Sequence, residues 1–188
     1  MQVIGEAPQA VSVAAFKRAV MIAEDDTDHD VALTAYLAAA QEVVETAARR
    51  PLTPRVVQFT TWAGLGLRWW VPLAPVSAVT AVAYDDGSDW VDVLPAEFRL
   101  VQGFDEPQVL FTDAAFAGLS CLAGLRITAT VGHVTPPKGL MQAVILLAKD
   151  WFDTGVAVED HKETALNFGC RSLIRQARYV RPREWGSA

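Results

Sequence analysis

Between Leu125 and Val131 apolar and polar residues alternate without a break: Leu125, Ile127, Ala129 and Val131 against Arg126, Thr128, Thr130 and Gly132. A period of two sends the two sets to opposite faces of a pleat, so this stretch predicts a half-buried β-strand. Val57, Phe59 and Thr61 alternate with Gln58 and Thr60 in the same way. In the stretch Trp70 to Gly87, Pro72 and Pro75 cannot donate to a ladder, which predicts a change of direction or a sheet edge between two strands. From there Val76, Ala78, Thr80, Val82 and Tyr84 fall on one face of a second strand, and Asp85-Asp86-Gly87 supplies a tight turn. Leu67–Val71, Trp90–Leu94, Phe98–Val101 and Val109–Thr112 read as further short strands. The links are too short for helical crossovers, so the pairing is expected to be antiparallel over a β region of about 55–133.

On either side of that region the period becomes helical. Met1–Val11 shows no period and reads as an arm. Ser12 is a good N-cap for a helix over about 13–22, with Phe16, Ala19 and Val20 on its apolar side. The run Glu24-Asp25-Asp26-Thr27-Asp28-His29-Asp30 predicts the start of a longer helix, about 27–49. Thr27 and Asp30 have capping-box spacing, and the acids face the positive end of the dipole. Leu33, Tyr36, Leu37, Ala40, Val43, Val44 and Ala47 continue it, and Arg49-Arg50-Pro51 ends it. Thr135-Pro136-Pro137 opens a third helix, about 136–154. Its stripes Leu140/Val144/Leu147/Trp151 and Met141/Ile145/Ala148/Phe152 form a face wide enough for two partners, and Gly155 stops it. After it, Cys170, Leu173, Ile174 and Ala177 share one side of a last helix, with Arg171, Arg175 and Arg178 on another. The fold class expected is α+β: a small helical bundle, an inserted antiparallel β region and a C-terminal helix.

Composition narrows the function classes. The chain has 188 residues, 52% hydrophobic and 20% charged, enough to bury a real core and unlike a disordered chain. A net charge of −6 argues against coating nucleic acid with the whole surface. From Arg171 onward there are five Arg and one Glu, a charge of +4, which leaves −10 on the residues before it. Cys121 and Cys170 are too few for a disulfide scaffold and are expected to be thiols in a reducing cytoplasm. The N-terminus lacks the order of charges and hydrophobes of a signal peptide, and no apolar run is long enough to cross a bilayer, so a soluble protein is expected.

Candidate chemistry is sparse. Asp26-x-Asp28-x-Asp30 has calcium-loop spacing, but Val31 and Leu37 stand where that loop needs its Gly and its bidentate Glu, so no metal is expected. His29, His133 and His161 have no ligand spacing. Neither Cys121 nor Cys170 sits at a nucleophile elbow, and Gly64-Leu65-Gly66 precedes a strand and not a phosphate-binding helix. No cofactor is expected. Trp62, Trp69, Trp70 and Trp90 look exposed, and they keep open a small cytoplasmic ligand-binding β-module as one alternative. An enzyme of unrecognised class is another.

Several of these stretches together resemble a known family. They are Val11-Ser12 before a short helix, an acidic bend and an Ala-rich helix; the Pro-Val-Ser-x-Val-x-x-Val corner with its Tyr-x-Asp-Gly turn; Pro136-Pro137 through Gln142-Ala143-Val144-Ile145-Leu146-Leu147-Ala148 to Trp151-Phe152; and Ser172-Leu173-Ile174 before Tyr179-Val180-Arg181. Their order from Val11 to Arg181 is similar to that of the head–tail adaptor (connector) proteins of tailed bacteriophages and gene transfer agents. Gly132-His133, where an aromatic commonly follows the Gly, and the long tail Pro182–Ala188 depart from that pattern. The resemblance implies a virion structural protein without enzymatic activity, located in the particle neck and, during assembly, in the host bacterial cytoplasm. It implies an adaptor domain over 1–163 and a basic C-terminal helix and tail over 164–188. Implied partners are the portal protein, the next neck or tail component (a stopper or tail terminator) and further copies in a ring of twelve, with no membrane. DNA would pass through the ring without specific binding. By the same resemblance the C-terminal docking helix would bind the portal through Cys170, Arg171, Leu173, Ile174, Arg175, Ala177, Arg178, Tyr179 and Arg181. Acidic loops bearing Asp85, Asp86, Asp89, Asp105 and Glu106 are the candidates for facing the channel.

Overall fold

A computed structural model describes residues 1–62, 67–103, 106–116, 123–154 and 167–180. Cys121, His161, Gly155, Asp105, Arg181 and the Gly64-Leu65-Gly66 stretch lie outside them. The chain forms two compact units, one mainly β (Met1–Ala7, Pro54–Gly132, then Tyr179 and Val180) and one helical (Pro8–Thr53 and His133–Arg178).

The β unit holds two antiparallel sheets. Strands β1 (Gln2–Ile4), β2 (Arg55–Trp62), β4 (Val76–Asp85), β5 (Trp90–Asp92) and β8 (Gly124–Val131) form the larger, in the order β1-β2-β8-β4-β5. Strands β3 (Arg68–Trp70), β6 (Phe98–Gly103) and β7 (Glu106–Phe111) form the smaller, in the order β3-β7-β6. The proline corner carries the chain from β3 in one sheet to β4 in the other, through a cis Ala74–Pro75 bond. The alternation in β8 is real: Leu125, Ile127, Ala129 and Val131 are buried against Val57, Phe59, Trp69, Val76, Val82 and Val109.

Two expectations in this unit need correcting. Residues 2–4 are not part of a patternless arm but an edge strand, with Val3 opposite Val57. Three residues are too few to show a period, and all three are exposed. In β4, Ala78 and Thr80 do not share the buried face of Val76 and Val82. The ladder to β8 skips Ser77 and Thr80, so the core-facing residues are Val76, Val79, Val82 and Tyr84, opposite Val131, Ala129, Ile127 and Leu125. Each skipped residue is the extra member of a β-bulge. The Ser77 hydroxyl donates to the Thr130 carbonyl at 3.1 Å, and the Thr80 hydroxyl to that of Thr128 at 3.2 Å.

The helical unit packs α1 (Val13–Val20), α2 (Asp30–Ala48), α3 (Lys138–Thr154) and α4 (Phe168–Ala177) around Phe16, Leu33, Leu37, Val44, Leu52, Leu140, Val144 and Leu147. Ser12 caps α1 as expected, its Oγ accepting from the Ala15 N–H at 3.2 Å. Helix α2 starts at Asp30, three residues later than expected, because the acidic run is used otherwise. Lys17 is only 3% exposed, and its ammonium donates to the Asp26 carbonyl at 2.5 Å and the Glu24 carbonyl at 3.5 Å. Asp30 Oδ1 completes the cage at 2.5 Å. Residues 24–29 therefore bend around a cation, and His29 rather than Thr27 precedes the helix.

Buried polar groups close the other end of α2. Gln41 accepts from the Ala10 N–H at 2.8 Å and donates to the Pro8 carbonyl and to Glu45 Oε1, each at 3.0 Å. Glu45 also accepts the Leu52 N–H at 2.8 Å. This chain of bonds fixes residues 8–10 and the turn after α2 to the helix itself, leaving these buried groups satisfied. Because β8 is bonded on both edges, Ile127→Ala should cost roughly 2–5 kcal/mol in urea unfolding, whereas Thr128→Ala on the opposite face should stay within about 0.5.

Candidate interaction surfaces

The amphipathic segment expected near the C-terminus is helix α4, and its apolar side is packed within the helical unit. Asn167 caps it, Oδ1 accepting from the Cys170 N–H at 3.0 Å while Nδ2 donates to Asp150 at 3.3 Å. Cys170 and Ile174 are buried in the core with α2 and α3; Leu173 and Ala177 are half-buried against it. Glycines at positions 139 and 169 lie in the contact between α3 and α4 at ordinary packing distance. A Cβ on Gly139 would meet Leu173 at 3.7 Å, and one on Gly169 would meet Leu146 at 3.9 Å. Burial pushes the Cys170 thiol pKa up, and the charge of Asp150 adds to that, so this thiol stays protonated and unreactive.

On the other side of the helix Arg171, Arg175 and Arg178 are exposed, and Phe168 at its start is 87% exposed. Phe168 was not among the sequence candidates, because a lone aromatic at a helix start carries no periodic signal. The predicted residues are thus divided between an inner and an outer face. Tyr179 belongs to neither: it is buried in the β unit, where its hydroxyl donates to the Val71 carbonyl at 3.1 Å.

The acidic candidates are also divided. Asp85, Asp86 and Asp89 gather on the β4–β5 turn, where Gly87 takes φ +97°. Asp86 Oδ1 accepts from the Ser88 N–H and hydroxyl at 2.8 Å and from the Asp89 N–H at 2.9 Å. Asp85 Oδ1 accepts the Gly87 N–H at 2.9 Å, and Asp89 Oδ1 the Trp90 N–H at 2.7 Å. Glu106 lies elsewhere. It starts β7 opposite Gly103, and the adjacent Gln102 donates to the Val76 carbonyl at the far end of β4, about 30 Å of strand from Asp85.

Of the four tryptophans, Trp69 and Trp70 are buried, not exposed, since β3 is covered on both faces. Trp62 is exposed, and Trp90 is half-buried beneath Arg126, whose guanidinium lies 3.8 Å from the ring centroid. Both border Gly124 of β8, Trp62 as its ladder partner and Trp90 with its ring beside it. Among the described residues no three His, Cys, Asp or Glu side chains gather as metal ligands would, and no helix is long and apolar enough to cross a membrane.

The two amide bonds and one hydroxyl bond that Asp86 accepts at the β4–β5 turn predict a pH effect. The Asp89 and Ser88 N–H groups, then the Ser88 hydroxyl, hold the Asp86 pKa below its ordinary value. A depressed carboxyl pKa contributes stability above the ordinary value, near 3.9, and loses it as the pH falls through the lowered one. Asp86→Ala should therefore melt earlier than the wild type at neutral pH, and the gap should narrow below about pH 4. A gap of constant size would show that the carboxylate's charge is not what holds the turn.

No protein-family model and no curated protein matches the chain. Solved structures do. The chain is similar over 97% of its length, and 96% of theirs, to chains of three gene transfer agent assemblies. One is the neck of an empty particle computed with C6 symmetry, at 26% identity and a TM-score of 0.71. Another is the virion of the native particle, at 27% and 0.75; the third is the neck of the native particle computed with C12 symmetry, at 25% and 0.68. The likeness takes in the β unit and the helical unit together.

Proposed function

We propose that this chain is a structural, non-enzymatic adaptor in the neck of a gene transfer agent or phage-like particle, forming a ring between the portal and the next tail component. The observation that carries this reading is the nearly full-length likeness to chains of gene transfer agent particles, two of them described as necks. The ring of twelve follows from analogy with the C12 neck. DNA passes through such a ring, and the carboxylates of the β4–β5 turn are the candidates for its wall. Their bonds to turn amides hold them in place, and a fixed negative wall repels phosphate.

Portal contact falls to the C-terminal segment. Its inner residues, Cys170, Leu173, Ile174 and Ala177, hold α4 on the helical unit, which leaves Arg178 and the basic residues beyond it, including Arg181, to meet an acidic portal surface. Before the portal is present, the acidic remainder of the chain makes like copies repel, so the purified protein is expected to be monomeric or weakly associated.

Pull-down with purified portal rings tests both levels. The intact chain should be retained and assemble on the ring. Removal of residues 181–188 together with Arg178→Glu should lower retention about tenfold or more while α2 and α3 keep their hydrogen-exchange protection. An intact chain that ignores portal rings overturns the adaptor reading. A truncated variant that binds as well as the intact chain overturns only the assignment of the segment.

A further inference from the structure

The helical unit has an open cavity of about 180 Å³ lined by Lys17, Ile22, Asp26, His29, Leu33 and Phe152. Ile22, Leu33 and Phe152 are its apolar walls, with the His29 ring edge-on to Phe152 at 5.6 Å. An apolar cavity of roughly 150 Å³ is enough to take up benzene, so the space suits one aromatic ring. The rim is negative. Asp26 lines it, and Asp25 and Asp28 of the same bend are exposed; Glu24 is exposed too but pairs with Arg18 at 3.2 Å, while the Lys17 charge is already met by Asp30 and the bend carbonyls.

The same unit presents an aromatic ring with the complementary charge. Phe168 is followed at i+3, i+7 and i+10 by the exposed Arg171, Arg175 and Arg178, which puts all four on one stripe of the helix. Aromatic residues and Arg are the side chains that most often anchor interfaces. Socket and stripe lie on opposite sides of α3. Ala143 and Asp150 of that helix meet α4 directly, and Gly139 and Leu146 come close to it. Phe152, two residues past Asp150, is about 200° further round the helix, where it meets His29. A copy therefore does not fill its own socket, and complementary patches on opposite sides give a head-to-tail contact, which closes into a ring when the rotation allows.

We infer that Phe168 of one copy seats in the Ile22–Leu33–Phe152 socket of the next, with Arg171 and Arg175 over the acidic rim. The contact deepens the ring proposed above and rests on it for closure alone; the pairwise contact is tested by itself. A full-length chain carrying p-benzoylphenylalanine at position 168, mixed with isotope-labelled wild type and irradiated, should cross-link to the labelled copy's segment 20–37. In sedimentation over a concentration series, Phe168→Ala should weaken self-association about 30-fold with an unchanged melting temperature, since the ring is outside the fold's core. Arg171→Glu with Arg175→Glu should weaken it too, as should Asp25→Arg with Asp28→Arg, and combining the two pairs should restore it. No copy-to-copy cross-link, a cross-link to another segment, or unaltered self-association of Phe168→Ala overturns the inference. If Phe168→Ala loses portal retention instead, the stripe belongs to the portal interface and the inference fails while the adaptor reading stands.

Discussion

Strand β8 is the constraint to which the β unit conforms. It is bonded along both edges, and its four apolar side chains are at most 2% exposed, so each neighbour must bring apolar residues to the same face in register. Strand β2 does this by plain alternation, Val57 opposite Ala129 and Phe59 opposite Ile127. Strand β4 cannot, because its bulky apolar residues fall at 76, 79 and 82, a spacing of three. A regular strand would turn Val79 to the opposite face from Val76 and Val82. Two bulges absorb the surplus residues, and they fall on Ser77 and Thr80, whose hydroxyls bond the carbonyls of β8 beside them. The bulges thus follow from one buried face and from two short polar side chains at the positions that must be skipped.

In the helical unit the corresponding constraint is a buried ammonium. Lys17 sits on a short helix whose neighbours are apolar, and a lysine there costs several kcal/mol unless it is fully paired. The acidic bend supplies the pairing mostly through backbone: carbonyls of Glu24 and Asp26 point in, with a single carboxylate, that of Asp30. The side chains of Asp25, Asp26 and Asp28 are left facing water, and that of Glu24 pairs with Arg18 at the surface. One short segment therefore neutralises an internal cation and keeps an external negative surface. Of the three aspartates with calcium-like spacing, Asp30 meets the ammonium with its carboxylate and Asp26 with its backbone carbonyl.

Much of this fold was legible because its periods are long. Seven residues of strict alternation identified β8, and the apolar stripes of α2 and α3 marked two long helices. What stayed hidden were features whose cause lies elsewhere in the fold. Edge strand β1 exists because β2 offers a free edge, and three exposed residues cannot announce that. The start of α2 depends on Lys17, seven or more residues earlier in the chain, so a local capping pattern at Thr27 was a reasonable but incomplete signal. Trp69 and Trp70 looked exposed because two adjacent aromatics in a strand must face opposite ways, and only a second layer on each side buries both. Among the proposed site residues, sequence found the arginine stripe but gave no reason to single out Phe168.

An amphipathic pattern states that one side of a helix will be covered, not by what. For α4 the cover is intramolecular: Cys170 and Ile174 complete the core that α2 and α3 begin, and Asn167 ties the start of the helix to Asp150 of α3. The side left over is therefore the one available for recognition, and its chemistry is one aromatic ring and guanidinium groups. Charge of that kind acts over about a Debye length, near 8–10 Å at physiological salt, which is comparable to the spacing between the arginines themselves. In the proposed ring, a basic stripe on an otherwise acidic chain would serve two ends at once. It would supply local attraction to an acidic surface, while the net charge of the remainder opposes unspecific association of free copies. In the inferred contact the aromatic ring would add what charge alone lacks, a shape that must find a matching cavity before the contact holds.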